Sequence, residues 1–115
     1  MKNRLLFIFL MALFALCGCH KDRITLEIIS PQSDDTFTIE QSIEIKVTAS
    51  TQKGEIIQVT AIVDTLYNQS VTEEPYNFII PPKTFKKAGL YYIEIKAYSS
   101  EEMIEGSAVR INITE

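Results

Sequence analysis

Two cysteines, one histidine and fifteen carboxylates are the side chains of this 115-residue chain with most chemistry to offer. The thiols stand close together, as Cys17 and Cys19, at the end of an apolar run that is free of charge from Leu5 onward. The histidine, His20, follows at once, and no other occurs in the rest of the chain. A Ser-His-Asp or Cys-His relay needs an imidazole beside its nucleophile, so neither can be assembled further along. Zinc and other imidazole-preferring metals lose their usual ligand for the same reason. A carboxylate pair could cleave a glycosidic bond. However, Glu27, Glu44 and Glu94 alternate with apolar residues, at positions expected to face solvent. Asp34-Asp35 could help to bind calcium, which takes about six to eight oxygens. Without an Asp-x-Asp-x-Asp-Gly pattern the pair reads as a turn former, and Glu73-Glu74 and Glu101-Glu102 read as solvated loop charge. The expectation is no enzyme, no metal and no cofactor.

The cysteines point to a different chemistry. Leu16-Cys17-Gly18-Cys19 resembles a bacterial lipobox, following Lys2, Arg4 and the apolar run. That resemblance implies acylation of the Cys19 thiol and cleavage before it, which makes residues 1–18 a signal peptide and Cys19 the lipidation site. Length agrees. Residues 5–19 form at most roughly 22 Å of helix, against a hydrocarbon core of about 30 Å. A basic start, a short apolar middle and small residues near the cut are the secretory pattern. Each buried methylene contributes about 0.8 kcal/mol, so the three acyl chains of a bacterial lipoprotein would hold it permanently. The membrane is then a partner through the anchor. Residues 19–23 are a short tether, and residues 24–115 are the domain. His20, where an Asp would signal inner-membrane retention, favours the outer membrane. Lys21-Asp22 leaves open whether the domain faces the periplasm or the outside.

Composition narrows the partners. Removing Lys2 and Arg4 from eleven basic residues leaves nine against fifteen acidic ones, a net charge of −6. That argues against nucleic acid, which needs clustered Lys and Arg, and against electrostatic docking on anionic lipid. With both cysteines at the N-terminus, no disulfide is expected within the domain. Strand pairing and apolar packing must stabilise it.

From Ile24 onward the apolar pattern has period two. The runs are Ile24-Leu26-Ile28, Ile43-Ile45-Val47, Val59-Ala61-Val63, Phe78-Ile80, Tyr91-Ile93-Ile95-Ala97 and Val109-Ile111-Ile113. Punctuation falls at residues 31–35, 52–54, 68–75, 86–89 and 99–106. No segment has a helical period. About seven strands, each with one apolar face, must bury those faces against one another. The predicted fold class is all-β, two antiparallel sheets packed as a sandwich.

The order of motifs resembles a bacterial immunoglobulin-like domain. It comprises Ile28-x-Ser30-Pro31, Phe37, Gly54, Val63-Asp64, Thr72-x-x-Pro75-Tyr76-x-Phe78 and Ala88-Gly89-x-Tyr91-x-Ile93-x-Ile95-x-Ala97. The chain departs from that pattern at Glu40-Gln41, where the family often has Gly-Asp, and at Thr65, where it has Gly. Gln52-Lys53-Gly54 replaces an Asp-rich turn and removes the carboxylates of a calcium site. The resemblance implies an immunoglobulin-like sandwich in which Tyr91 is a corner tyrosine bonded to nearby backbone. Such domains serve as spacers or binding modules of surface proteins and polysaccharide-degrading enzymes, so fold is implied more firmly than activity.

Alternation puts Tyr92 and Tyr98 on the outward face of one strand, and Ile62 shares that face if its strand lies alongside. Together they are candidate binding residues for a glycan or a protein partner. The plain alternative is cross-strand support of a sheet surface. Asp64-Thr65-Leu66 resembles the acceptor sequence of periplasmic O-glycosylation. The functional expectation is a membrane-anchored, non-enzymatic binding or assembly module, accessory to polysaccharide handling. Its alternatives are an inhibitor of a hydrolase such as a lysozyme or protease, acting through loops 67–74 or 99–106, and a structural spacer.

Overall fold

The computed structural model describes residues 23–115. Lipobox, Cys19 and His20 lie outside them. Eight strands make up the described chain: β1 (Ile24–Ser30), β2 (Asp35–Thr38), β3 (Ile43–Thr51), β4 (Ile56–Val63), β5 (Tyr67–Val71), β6 (Tyr76–Ile80), β7 (Gly89–Ser99) and β8 (Ile104–Thr114). They form two sheets, one of three strands in the order β1-β3-β6 and one of five in the order β2-β8-β7-β4-β5. This is the expected all-β sandwich with immunoglobulin-like order.

Period-two burial builds both layers. Ile43, Ile45, Val47 and Ala49 point inward from β3, while Glu44, Lys46, Thr48 and Ser50 point to water. From the facing sheet come Val59, Ala61 and Val63 of β4, Ile93, Ile95 and Ala97 of β7, and Val109, Ile111 and Ile113 of β8. Seven isoleucines and two valines have under 2% of their surface exposed. Each such side chain is worth about 1.5–3 kcal/mol in transfer from water.

All pairings are antiparallel except β2 with β8, which run parallel from Asp35↔Ile111 to Thr38↔Thr114. The parallel pair arises because the chain changes sheets. β1 pairs with β3 until Ser30, and then Pro31, which has no N–H to offer a ladder, releases it. A turn at Gln32–Asp35 delivers the chain to β8 of the other sheet, closed by the bond from Asp35 N–H to the Gln32 carbonyl at 3.1 Å.

The count is one more than expected, and two strands fall outside the predicted runs: β2 just after the punctuation at 31–35, and β5 largely within that at 68–75. β2 holds a single inward apolar residue, Phe37. β5 is an edge strand whose middle residues, Asn68, Gln69 and Ser70, are all exposed. Neither carries the apolar alternation that marks a strand covered on one face. β8 also begins at Ile104 rather than Val109. Loops 67–74 and 99–106, offered as inhibitory loops, are therefore largely strand. What remains are the connections 72–75 and 100–103, the second tied down by Ser99, whose Oγ accepts from the N–H groups of Glu101 and Met103.

Candidate functional site

The outward face of the five-stranded sheet carries the predicted binding residues, and its register sets their spacing. Along β7, outward positions are Leu90, Tyr92, Glu94, Lys96 and Tyr98. Across β8 they oppose Asn112, Arg110, Ala108, Gly106 and Ile104 in turn. Across β4, Tyr98 faces Gln58, Lys96 faces Thr60 and Glu94 faces Ile62. Tyr92, Tyr98 and Ile62 thus share a face.

They do not form one cluster. Tyr92 and Tyr98 are separated along β7 by about 20 Å, six strand residues at roughly 3.4 Å each. Between them lie Glu94 and Lys96, paired at 3.6 Å. Tyr92 stands beside Leu90, both 59% exposed, and Ile62 is a diagonal neighbour of Tyr92. Tyr98 belongs to the other end, beside exposed Ile104 and near Ile57, where β4 is irregular between Ile56 and Gln58. Tyr98 and Ile62 are themselves half-buried.

The Tyr92 end is concave. Tyr92 and Glu94 border a shallow depression of about 380 Å³ whose other walls are Gly106, Ser107 and Ala108. The hollow exists because the opposing positions on β8 are small: Gly106 has no side chain and Ala108 only a methyl. An added Cβ at Gly106 would lie 3.8 Å from the Ile95 carbonyl oxygen, ordinary contact, so the fold itself does not demand glycine there.

Arg110, directly opposite Tyr92, is held from the other side. Its Nε donates to Asp34 Oδ1 at 2.7 Å, and the Asp34 N–H donates to the Arg110 carbonyl at 2.7 Å. The hydrogen bond from Arg110 holds the Asp34 carboxyl below its usual value, and Asp34 in turn raises the guanidinium, with a smaller contribution from Tyr92. The depression therefore offers an aromatic face, a carboxylate at Glu94 and, beside them, a fixed cation. That is a mixed apolar and hydrogen-bonding surface with no nucleophile aligned to a base.

Gly106, Ala108, Glu94 and Arg110 were missed as site residues. Period two continued back from Val109 through Ser107 and Glu105 would have placed Gly106, Ala108 and Arg110 on the Tyr92 face.

The other residues singled out lie at a corner and in turns. Tyr91 Oη donates to the Lys87 carbonyl at 2.8 Å, and its ring tilts against Phe85 at 4.6 Å between centroids. This is the expected corner. Asp35 Oδ2 accepts from the Gln32 N–H at 2.9 Å, so Asp34-Asp35 does form a turn. Asp64, at φ 44°, and exposed Thr65 and Leu66 form the β4–β5 turn, which is closed by Leu66 N–H to the Val63 carbonyl at 2.9 Å.

No curated protein matches the chain in sequence. Among solved structures, the fibronectin(III)-like modules of Clostridium thermocellum CbhA are similar at a TM-score of 0.69 and 23% identity. The match covers 82% of this chain and 48% of that one, so this chain spans about half the length of that structure. A superoxide reductase (neelaredoxin) from Ignicoccus hospitalis is similar at a TM-score of 0.61 and 12% identity, covering 84% and 85% of the two chains. Both likenesses are of fold. At the level of sequence, the model of the bacterial Ig domain family matches residues 25–95. These residues run from the first strand through the corner tyrosine into the middle of β7, and the chain belongs to that family.

Proposed function

We propose that this is a non-enzymatic lipoprotein, held in the bacterial outer membrane by acylated Cys19, whose Ig domain binds glycan at the Tyr92 depression. The observation that carries the reading is the pairing of an exposed aromatic ring with a small-residue hollow. A sugar ring presents an apolar C–H face, which stacks on an aromatic, and equatorial hydroxyls, which need acceptors and donors at its edge. Tyr92 supplies the first, while Glu94 and Arg110 supply the second. Tyr92 has Arg110 as its cross-strand partner. Next to that pair, however, Ala108 and Gly106, opposite Glu94 and Lys96, leave the space beside the ring unfilled, which cross-strand support of the sheet does not require.

The anchor and the site are separable in experiment. Labelled palmitate should enter the full-length protein and fail to enter Cys19→Ala. The lipoprotein in detergent, applied to a glycan array, should retain a defined set of oligosaccharides. Tyr92→Ala and Gly106→Thr should lose that retention with the thermal transition intact. Absence of glycan retention, or retention unaffected by both substitutions, removes the reading.

A further inference from the structure

β3 is longer than the strand on one of its sides. β1 accompanies it to the end, Ile24 opposite Thr51. β6 leaves earlier, its last pairing being Tyr76 opposite Val47. Upstream of Tyr76 the chain belongs to the other sheet, where Val71 of β5 pairs with Val59. Pro75, lacking an N–H, could not have extended the ladder. Among the described residues, the side of β3 that β6 would cover has no strand on it from Thr48 to Thr51, and no turn or loop backbone bond reaches these four residues. Backbone polar groups alternate in direction along a strand, so two of the four offer N–H and C=O to this gap.

Among the described residues nothing fills the gap. A groove of about 560 Å³ runs beside Thr48, Ser50 and Pro75. A second hollow of about 400 Å³ continues it toward Gly54 and Glu55 and shares Ala49, Ser50, Glu74 and Tyr76 with the first. Its inner wall is apolar, from Val47, Ala49 and Tyr76, each 6% exposed or less. Its rim is acidic: Glu55, Glu73 and Glu74 line it, and among the described residues no Lys or Arg does.

We infer that this groove takes an extended peptide segment of a partner protein, added antiparallel to β3 where β6 stops and carrying Lys or Arg. Main-chain bonds to the open edge would supply affinity, as in other strand additions. Side chains of such a segment alternate, so small apolar residues turn toward Ala49 and Tyr76 while cations meet the glutamates. A second copy of this chain is disfavoured as occupant, since a two-fold contact would set the same glutamates against one another.

The test is amide hydrogen exchange on the full-length protein in detergent, with a capped peptide of alternating lysine and valine as the probe. At about ten times its dissociation constant the peptide should slow exchange roughly tenfold at two alternate amides within Thr48–Thr51. A peptide with glutamate in place of lysine should give no protection. Glu73→Gln with Glu74→Gln should weaken the lysine peptide a few-fold, as should added salt. If the glutamates instead guard the edge against any strand, neither peptide protects it at millimolar concentration, and the inference fails. Protection confined to the free edges of β5 or β6 overturns it equally.

Discussion

Asp34 and Arg110 grip each other twice, once through side chains and once through backbone, each at 2.7 Å. The double contact fixes the turn that carries the chain from one sheet to the other. Asp34 has φ 67°, a left-handed conformation that Asp and Asn tolerate better than most residues. Its carboxyl lies below the ordinary value in the folded protein, chiefly through the hydrogen bond from Arg110. A depressed folded pKa stabilises the fold above the unfolded value of about 3.9, and that contribution is lost as pH falls through the folded value. Asp34→Asn keeps an acceptor and the turn but removes the titration. Thermal melts should show the wild type losing stability below about pH 4 more steeply than the variant, with parallel curves at higher pH. Equal acid limbs would show that the ion pair contributes nothing to the fold.

Tyr91→Phe removes the bond to the Lys87 carbonyl and leaves the ring against Phe85. The expected loss is about 1 kcal/mol, or roughly 4–8 °C in a domain of this size. Tyr92→Phe, one position away and exposed, should leave the transition unmoved. Urea denaturation of both variants distinguishes a corner tyrosine from a surface one.

Much of this architecture was legible because strands covered on one face announce themselves. Ile43, Ile45 and Val47 alternate with charge, and so do Ile93 and Ile95. β2 and β5 were not legible, since edge strands with one or two buried side chains have no period to detect. The binding face was half legible. Alternation alone placed Tyr92, Tyr98 and Ile62 together, but distance along a strand and the identity of the opposite residue come only from register. Glu94 opposite Ala108 makes a hollow beside Tyr92, whereas Tyr98 stands opposite bulky Ile104. Asp34 and Arg110 lie 76 residues apart in the chain, and no local pattern joins them.

The two glycines at these surfaces should respond oppositely. Gly54 has φ 76°, and a Cβ there would meet Ser100 Oγ at 2.5 Å and Glu101 Cγ at 2.8 Å. The turn it belongs to is tied to the β7–β8 connection by Glu55 N–H to Ser100 Oγ at 2.9 Å and Ser100 N–H to the Glu55 carbonyl at 2.8 Å. Gly54→Ala should cost more than about 1 kcal/mol, from the φ alone and from the displaced Ser100. Gly106→Thr, in a strand interior with room for a side chain, should be neutral or stabilise by up to about 1 kcal/mol. Paired chemical denaturation curves decide, and a destabilised Gly106→Thr would mean that the hollow is required by the fold.

With no cysteine between β1 and β8, the core must hold the sandwich unaided. Ile45 and Ile95 are fully buried, on opposite sheets. Either one changed to Ala should lose about 2–5 kcal/mol, a large share of the roughly 5–14 kcal/mol expected for a domain of this length. Ile79→Thr, at a position 63% exposed, should lose less than about 0.5 kcal/mol. Comparable losses at Ile79 and Ile45 would contradict the assignment of inner and outer faces to the three-stranded sheet.

At the alkaline end the sign reverses. Tyr67 and Tyr76 are buried where β5 and β6 approach one another across the two sheets. Burial raises both phenols above their ordinary value; the Ile79 backbone partly offsets this at Tyr67, and the Glu74 carboxylate adds to it at Tyr76. A raised folded pKa means that the neutral phenol is favoured by folding. The contribution is complete below the unfolded value of about 10 and disappears as pH rises through the folded value. Stability should therefore fall steeply above pH ~10, and Tyr67→Phe and Tyr76→Phe should each flatten that fall. Glu74→Gln should bring the Tyr76 titration down toward its ordinary value, because it removes the like charge and leaves the burial. Tyrosinate absorbance followed against pH reads each step, and a Tyr76 titration indifferent to Glu74 would place that carboxylate away from the ring.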